Sequence, residues 1–172
     1  MPQQMQEVRI ECHTGLGSET PILIGDQLID MNRLHIGYSG QNVKTFAVNP
    51  STCQIDECHI LEVPQQVFVP NTIKIGLHYG FHFECTPGSL ILSTEGFKHA
   101  ENLKKGDKLQ VLTFNAENGQ SFMEEGEITE YEYNNEIQLQ VPVYLFISEY
   151  ENILLPYYKE GSKLIAFIDV KQ

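Results

Sequence analysis

Residues Cys85 to Leu109, CTPGSLILSTEGFKHAENLKKGDKL, carry the pattern on which the fold depends. An apolar strand, Leu90-Ile91-Leu92, leads through a turn into a short amphipathic segment ending in Leu103-Lys104-Lys105-Gly106. A second strand, Val111-Leu112-Thr113-Phe114, follows. An earlier stretch does the same with Ile22-Leu23-Ile24, Leu34, Gly37 and Val43-Lys44-Thr45-Phe46. The two series stand roughly 68 residues apart, longer than most solenoid units and suited to two similar half-domains. Neither half can bury its sheet alone, so the two are expected to pack about a pseudo-twofold axis. The expected organisation is an N-terminal strand or extension over 1–11 and a single domain over 12–172, with halves at about 12–80 and 81–155.

Outward from this core, short apolar stretches recur, each closed by Gly, Pro or Asn. They include Val8–Cys12, Pro21–Ile24, Val43–Val48, Val67–Val69, Thr72–Leu77, Lys108–Phe114 and Val141–Ile147. Many of their residues are β-branched or aromatic, and Thr72-Ile73-Lys74-Ile75-Gly76-Leu77 alternates in period two. No segment offers a sustained helical stripe; only Lys98–Lys104 reads as helical, over barely two turns. Many short strands with frequent turns predict an all-β fold. Glu117 to Glu136 reads as a solvated turn and edge strand, with Tyr131 and Tyr133 on one face.

A chain of 172 residues with 41% hydrophobic and 20% charged residues is globular rather than disordered. Its 11 basic against 23 acidic residues give a formal charge of -12. Phosphate binding needs concentrated positive charge, so a nucleic-acid partner is excluded. No apolar run approaches the ~20 residues of a membrane span, and Met1–Gln6 lacks the basic start and apolar core of a secretory signal. A cytoplasmic location without membrane contact is therefore expected. Free thiols are expected at Cys12, Cys53, Cys58 and Cys85, with a Cys53–Cys58 pair left open.

The Cys85–Leu109 stretch resembles the second conserved block of Hint domains, the fold of inteins and hedgehog autoprocessing domains. In that block Thr-Pro-x-His precedes a hydrophobic strand, a Gly and a segment ending Leu-x-x-Gly-Asp. Thr86-Pro87, Leu90–Leu92, Gly96, Ala100 and Leu103-Lys104-Lys105-Gly106-Asp107 fall in step. Thr20-Pro21-Ile22-Leu23-Ile24, with Leu34 and Gly37, resembles the first block, which begins at the nucleophile. Val141–Ile147 followed by Asn152-Ile153-Leu154-Leu155 resembles the penultimate strands. The resemblance covers about residues 12 to 155 and implies a Hint-like horseshoe of two pseudo-twofold-related β halves.

It also implies a chemistry. In the family a Cys or Ser attacks the carbonyl before it, converting a peptide bond into a thioester or ester. The block's Thr and His act on that bond, the His protonating the departing amine. Here Cys12, at the end of a strand, is the candidate nucleophile, but it stands a few residues too far from Thr20. An ungapped match puts Gly15 in the nucleophile's place, and Gly15 cannot react. Cys12 therefore reads equally as a small apolar strand residue; Ser18 is a weaker candidate. Thr86 is where the motif wants it, whereas Ser89 stands where the His belongs, and a hydroxyl is no proton donor near pH 7. His82 and His99 occupy no matching position, and His13 should face away from Cys12. The family's terminal His-Asn pair is absent, Asn152 being preceded by Glu151.

Cys12, Thr86 and Ser89 are thus the vestigial catalytic candidates of a catalytically degenerate domain, expected to serve as a structural or protein-interaction module and not as an enzyme. The partner class is a protein or a covalently linked flanking segment. The enzyme-class alternative is a self-cleaving cysteine domain, forming a thioester at Glu11–Cys12 and releasing the N-terminal segment. A third reading is a small-molecule-binding β module without twofold halves. Cys53-Gln54-Ile55-Asp56-Glu57-Cys58-His59 invites a zinc site, with Cys85 and His82 as distant partners. Without a second close pair it reads as an acidic loop. No cofactor or metal is expected.

Overall fold

The computed structural model describes residues 15–24, 27–37, 43–49, 51–52, 54–60, 65–77, 81–114, 121–134, 141–145, 152–159 and 162–169. Strands dominate them. The first half of the chain gives β1 (Gly15–Gly17), β2 (Pro21–Ile24), β3 (Gln27–Asp30), helix α1 (Met31–Gly37), β4 (Lys44–Asn49), β5 (Gln54–His59), β6 (Gln65–Val69) and β7 (Thr72–Leu77). The second gives β8 (His82–Cys85), β9 (Leu90–Ser93), β10 (Gly96–His99), a 3-10 turn (Ala100–Asn102), β11 (Lys108–Phe114), β12 (Ser121–Asn134), β13 (Val141–Leu145), β14 (Asn152–Lys159) and β15 (Ser162–Asp169). All described pairings are antiparallel, as the all-β expectation requires.

One large sheet runs in the order β10-β9-β15-β11-β12-β7-β8-β1-β13-β6, with β14 paired to β15; β2–β3 and β4–β5 are separate hairpins. The sheet's two wings are joined by β12. Its first part pairs β11 from Ser121 to Glu127, and its second pairs β7 from Ile128 to Asn134. A register shift between Ile128 and Glu130 marks the change of partner, as a bulge does when it bends a strand. The acidic strand is therefore interior, not the edge expected from its charge. Its exposed Glu125, Glu127, Glu130 and Glu132 sit on the outer face, while Gly126 and Ile128 are buried.

Period-two burial explains the core. Ile73, Ile75 and Leu77 are buried on β7 and Lys74 is exposed. They join Leu16, Phe83, Ile91, Leu109, Val111, Ile128, Ile153 and Leu155 in one cluster, each such side chain contributing about 1.5–3 kcal/mol by leaving water.

Helix α1 was not expected, and Lys98–Lys104 is not a helix but the end of β10 and a 3-10 turn. Seven residues are too few to show a stripe. The helix is set instead by its acceptors: the Asp30 carboxylate caps the Arg33 N–H at 2.8 Å. The Thr20 and Ser18 carbonyls take the Met31 and Asn32 N–H groups, each at 3.1 Å.

The same connections recur in the second half. Ser89 donates to the Thr86 carbonyl as Thr20 does to Gly17, both at 3.1 Å. Ala100 donates to Ser89 at 2.8 Å as Met31 does to Thr20, and Glu101 donates to Pro87 at 3.0 Å as Asn32 does to Ser18. Every one of these residues lies 69 positions after its counterpart. The order strand, turn, hairpin, helical turn, strand pair thus occurs twice. The final hairpin reaches both series, β14 packing on β2 and β4 while β15 pairs β9 and β11.

Candidate functional site

β8 delivers Cys85 into the core, and Thr86 follows its end. There Pro87, suited to the second position of a tight turn, reverses the chain so that Ser89 bonds back to Thr86. Three carbonyls of this turn are held from one side. Ala100 N–H takes Ser89 O, Glu101 N–H takes Pro87 O, and His99 Nδ1 lies 2.8 Å from Gly88 O. The Tyr131 hydroxyl donates to the Ala100 carbonyl at 2.7 Å. Burial and the negative groups around it push that phenol up to about 12.

On its other side the turn grips β1. The Thr86 N–H donates to the Gly15 carbonyl at 2.9 Å, and the Gly15 N–H donates to Thr86 Oγ1 at 3.3 Å. Thr86 Oγ1 lies 2.8 Å from Ser89 Oγ, and Ser89 is fully buried. The Ser89 hydroxyl also reaches the Cys85 thiol, which burial pushes up to about 12 against the opposing effect of that hydrogen bond. A polar chain therefore runs Gly15 N–H, Thr86 hydroxyl, Ser89 hydroxyl, Cys85 thiol, with no water-facing member except at Thr86. Cys85 is a protonated, unreactive thiol at neutral pH.

Gly15 itself is packed. A Cβ there would meet Thr86 Cγ2 at 2.9 Å and Val143 Cγ2 at 3.0 Å, closer than real contacts allow without movement. Two residues on, a Cβ at Gly17 would overlap the Glu84 side chain. That carboxylate accepts from the buried Thr72 hydroxyl at 2.6 Å.

Of the sequence candidates, Thr86 and Ser89 come together on the Gly15 backbone. Cys12 and His13 lie outside the described residues. His82 is on the outer face of β8, 2.9 Å from Glu130, and His99 is exposed against the Gly88 carbonyl. Ser18 contributes only its carbonyl, to α1. Asn152 is buried and closes on β4, its Oδ1 taking the Val48 N–H at 2.8 Å and its Nδ2 giving to the Val48 carbonyl at 2.9 Å. Cys58 is buried on β5 opposite Thr45, and Cys53 lies outside the described residues. Among the described residues no group of three or more His, Cys, Asp and Glu could hold a metal ion, and no helix is long and apolar enough to cross a membrane.

Sequence reasoning missed Thr20. Its buried hydroxyl donates to the Glu84 carbonyl at 3.1 Å and accepts the Glu84 N–H at 2.9 Å. Its place 69 residues before Ser89 was the available signal.

Comparison with protein-family models and with curated protein sequences finds no match. Solved structures do match. A DnaB intein from Synechocystis sp. PCC 6803 superimposes with a TM-score of 0.64 at 8% identity, over 92% of this chain and 99% of that one. A bacterial intein-like domain from Clostridium thermocellum gives 0.63 at 18% identity, over 88% and 97%. A DnaX mini intein from Spirulina platensis gives 0.63 at 17% identity, over 90% and 98%. Agreement over nearly the whole length of both chains places this chain in the Hint fold, the fold of the inteins.

Proposed function

We propose that this chain is a Hint-fold domain without peptide-rearranging activity, retained as a structural or protein-interaction module. The observation that carries the reading is Gly15. The turn that in the resembled family acts on the scissile peptide holds, here, the backbone of a residue with no side chain, in a space too tight for one. The chemistry of the turn agrees. Acyl shift needs a nucleophile and a proton for the departing amine, and Thr86 and Ser89 offer neutral hydroxyls already bonded to each other.

Intact mass of the freshly purified chain, with and without dithiothreitol or hydroxylamine, tests this. A stable full-length mass under both conditions supports the inert reading. The competing reading is thioester formation at Glu11–Cys12. A product beginning at Cys12 that disappears in Cys12→Ala would establish it and overturn ours.

A further inference from the structure

We draw no further inference here: the strongest candidate, the acidic outer face of β12 with its exposed Glu125, Glu127, Glu130 and Glu132, already pairs Glu125 with Lys108 and Glu130 with His82, and nothing in the structure shows what covers it.

Discussion

Thr86→Val is the most informative perturbation of the site, because it keeps the β-branched shape and removes one oxygen. That oxygen holds the Gly15 N–H at 3.3 Å and the Ser89 hydroxyl at 2.8 Å. The first bond is at the long limit of useful geometry and contributes about 0.5–1 kcal/mol. The second is near optimal, and Ser89 is fully buried. A hydroxyl stranded there, with only the weak thiol of Cys85 beside it, costs about 1–2 kcal/mol. Thr86→Val should therefore destabilise by about 1.5–3 kcal/mol, and Ser89→Ala by about 1 kcal/mol.

The double variant is expected to lose less than the sum, by about 1 kcal/mol, because removing both hydroxyls leaves no stranded partner. Urea unfolding of the four chains with a common slope measures this coupling. Additivity within about 0.3 kcal/mol would refute the polar chain running from Gly15 to Cys85. Intact mass should be the same for all four.

Gly15→Cys places a thiol beneath the Thr86 turn, yet should show no hydroxylamine-sensitive cleavage. It should destabilise by about 1–3 kcal/mol as Thr86 and Val143 are pushed aside. Asn152→Asp replaces the amide donor facing the Val48 carbonyl with a carboxylate and should cost about 2–3 kcal/mol at pH 7, read by thermal melting. The Cys85 thiol stands at about 12 in the folded chain against an ordinary 9.0. Between those values the unfolded chain sheds a proton that the folded chain keeps, so stability should fall as pH rises from about 9 to about 12. The loss is at most about 1.4 kcal/mol per pH unit, and Cys85→Ala should remove that part of the slope.

What the sequence disclosed was what is local. The Leu90–Leu92 strand, the Gly96 and Gly106 turns and the Lys108–Phe114 strand could be read because turn residues act where they stand. Both glycines have φ near +100°, at 107° and 96°, where other residues are strained. Distant partners stayed hidden. α1 depends on the Thr20 and Ser18 carbonyls, and β12 looks like a solvated edge because its carboxylates reveal one face while its two neighbours are fixed by long-range pairing. Thr86 and Ser89 were singled out from a motif, and the structure brings their hydroxyls together beside Gly15. Their target could not be chosen between Cys12 and Gly15 by counting along the chain, since only the fold brings β1 beneath the turn.

The recurrence at 69 residues relates the Thr86 turn to an equivalent turn at Thr20. Gly15 and Glu84 are counterparts at this offset, as are Thr20 and Ser89. Each half's turn clasps the other half's strand: Thr20 closes on the backbone of Glu84, while Thr86 and Ser89 close on Gly15. In the first clasp the Thr20 hydroxyl both donates to and accepts from the Glu84 backbone. The second differs by one relay, the Ser89 hydroxyl bonding to the Thr86 hydroxyl that accepts the Gly15 N–H. The two clasps should then have similar energetic weight. Thr20→Val removes an acceptor from the Glu84 N–H and a donor from its carbonyl, so it should cost about 2–3 kcal/mol, within about 1 kcal/mol of Thr86→Val. Matched urea titrations of the two variants compare them directly. A loss below about 0.5 kcal/mol for Thr20→Val beside a large one for Thr86→Val would mean that the clasps are not equivalent and that the second keeps a task the first never had.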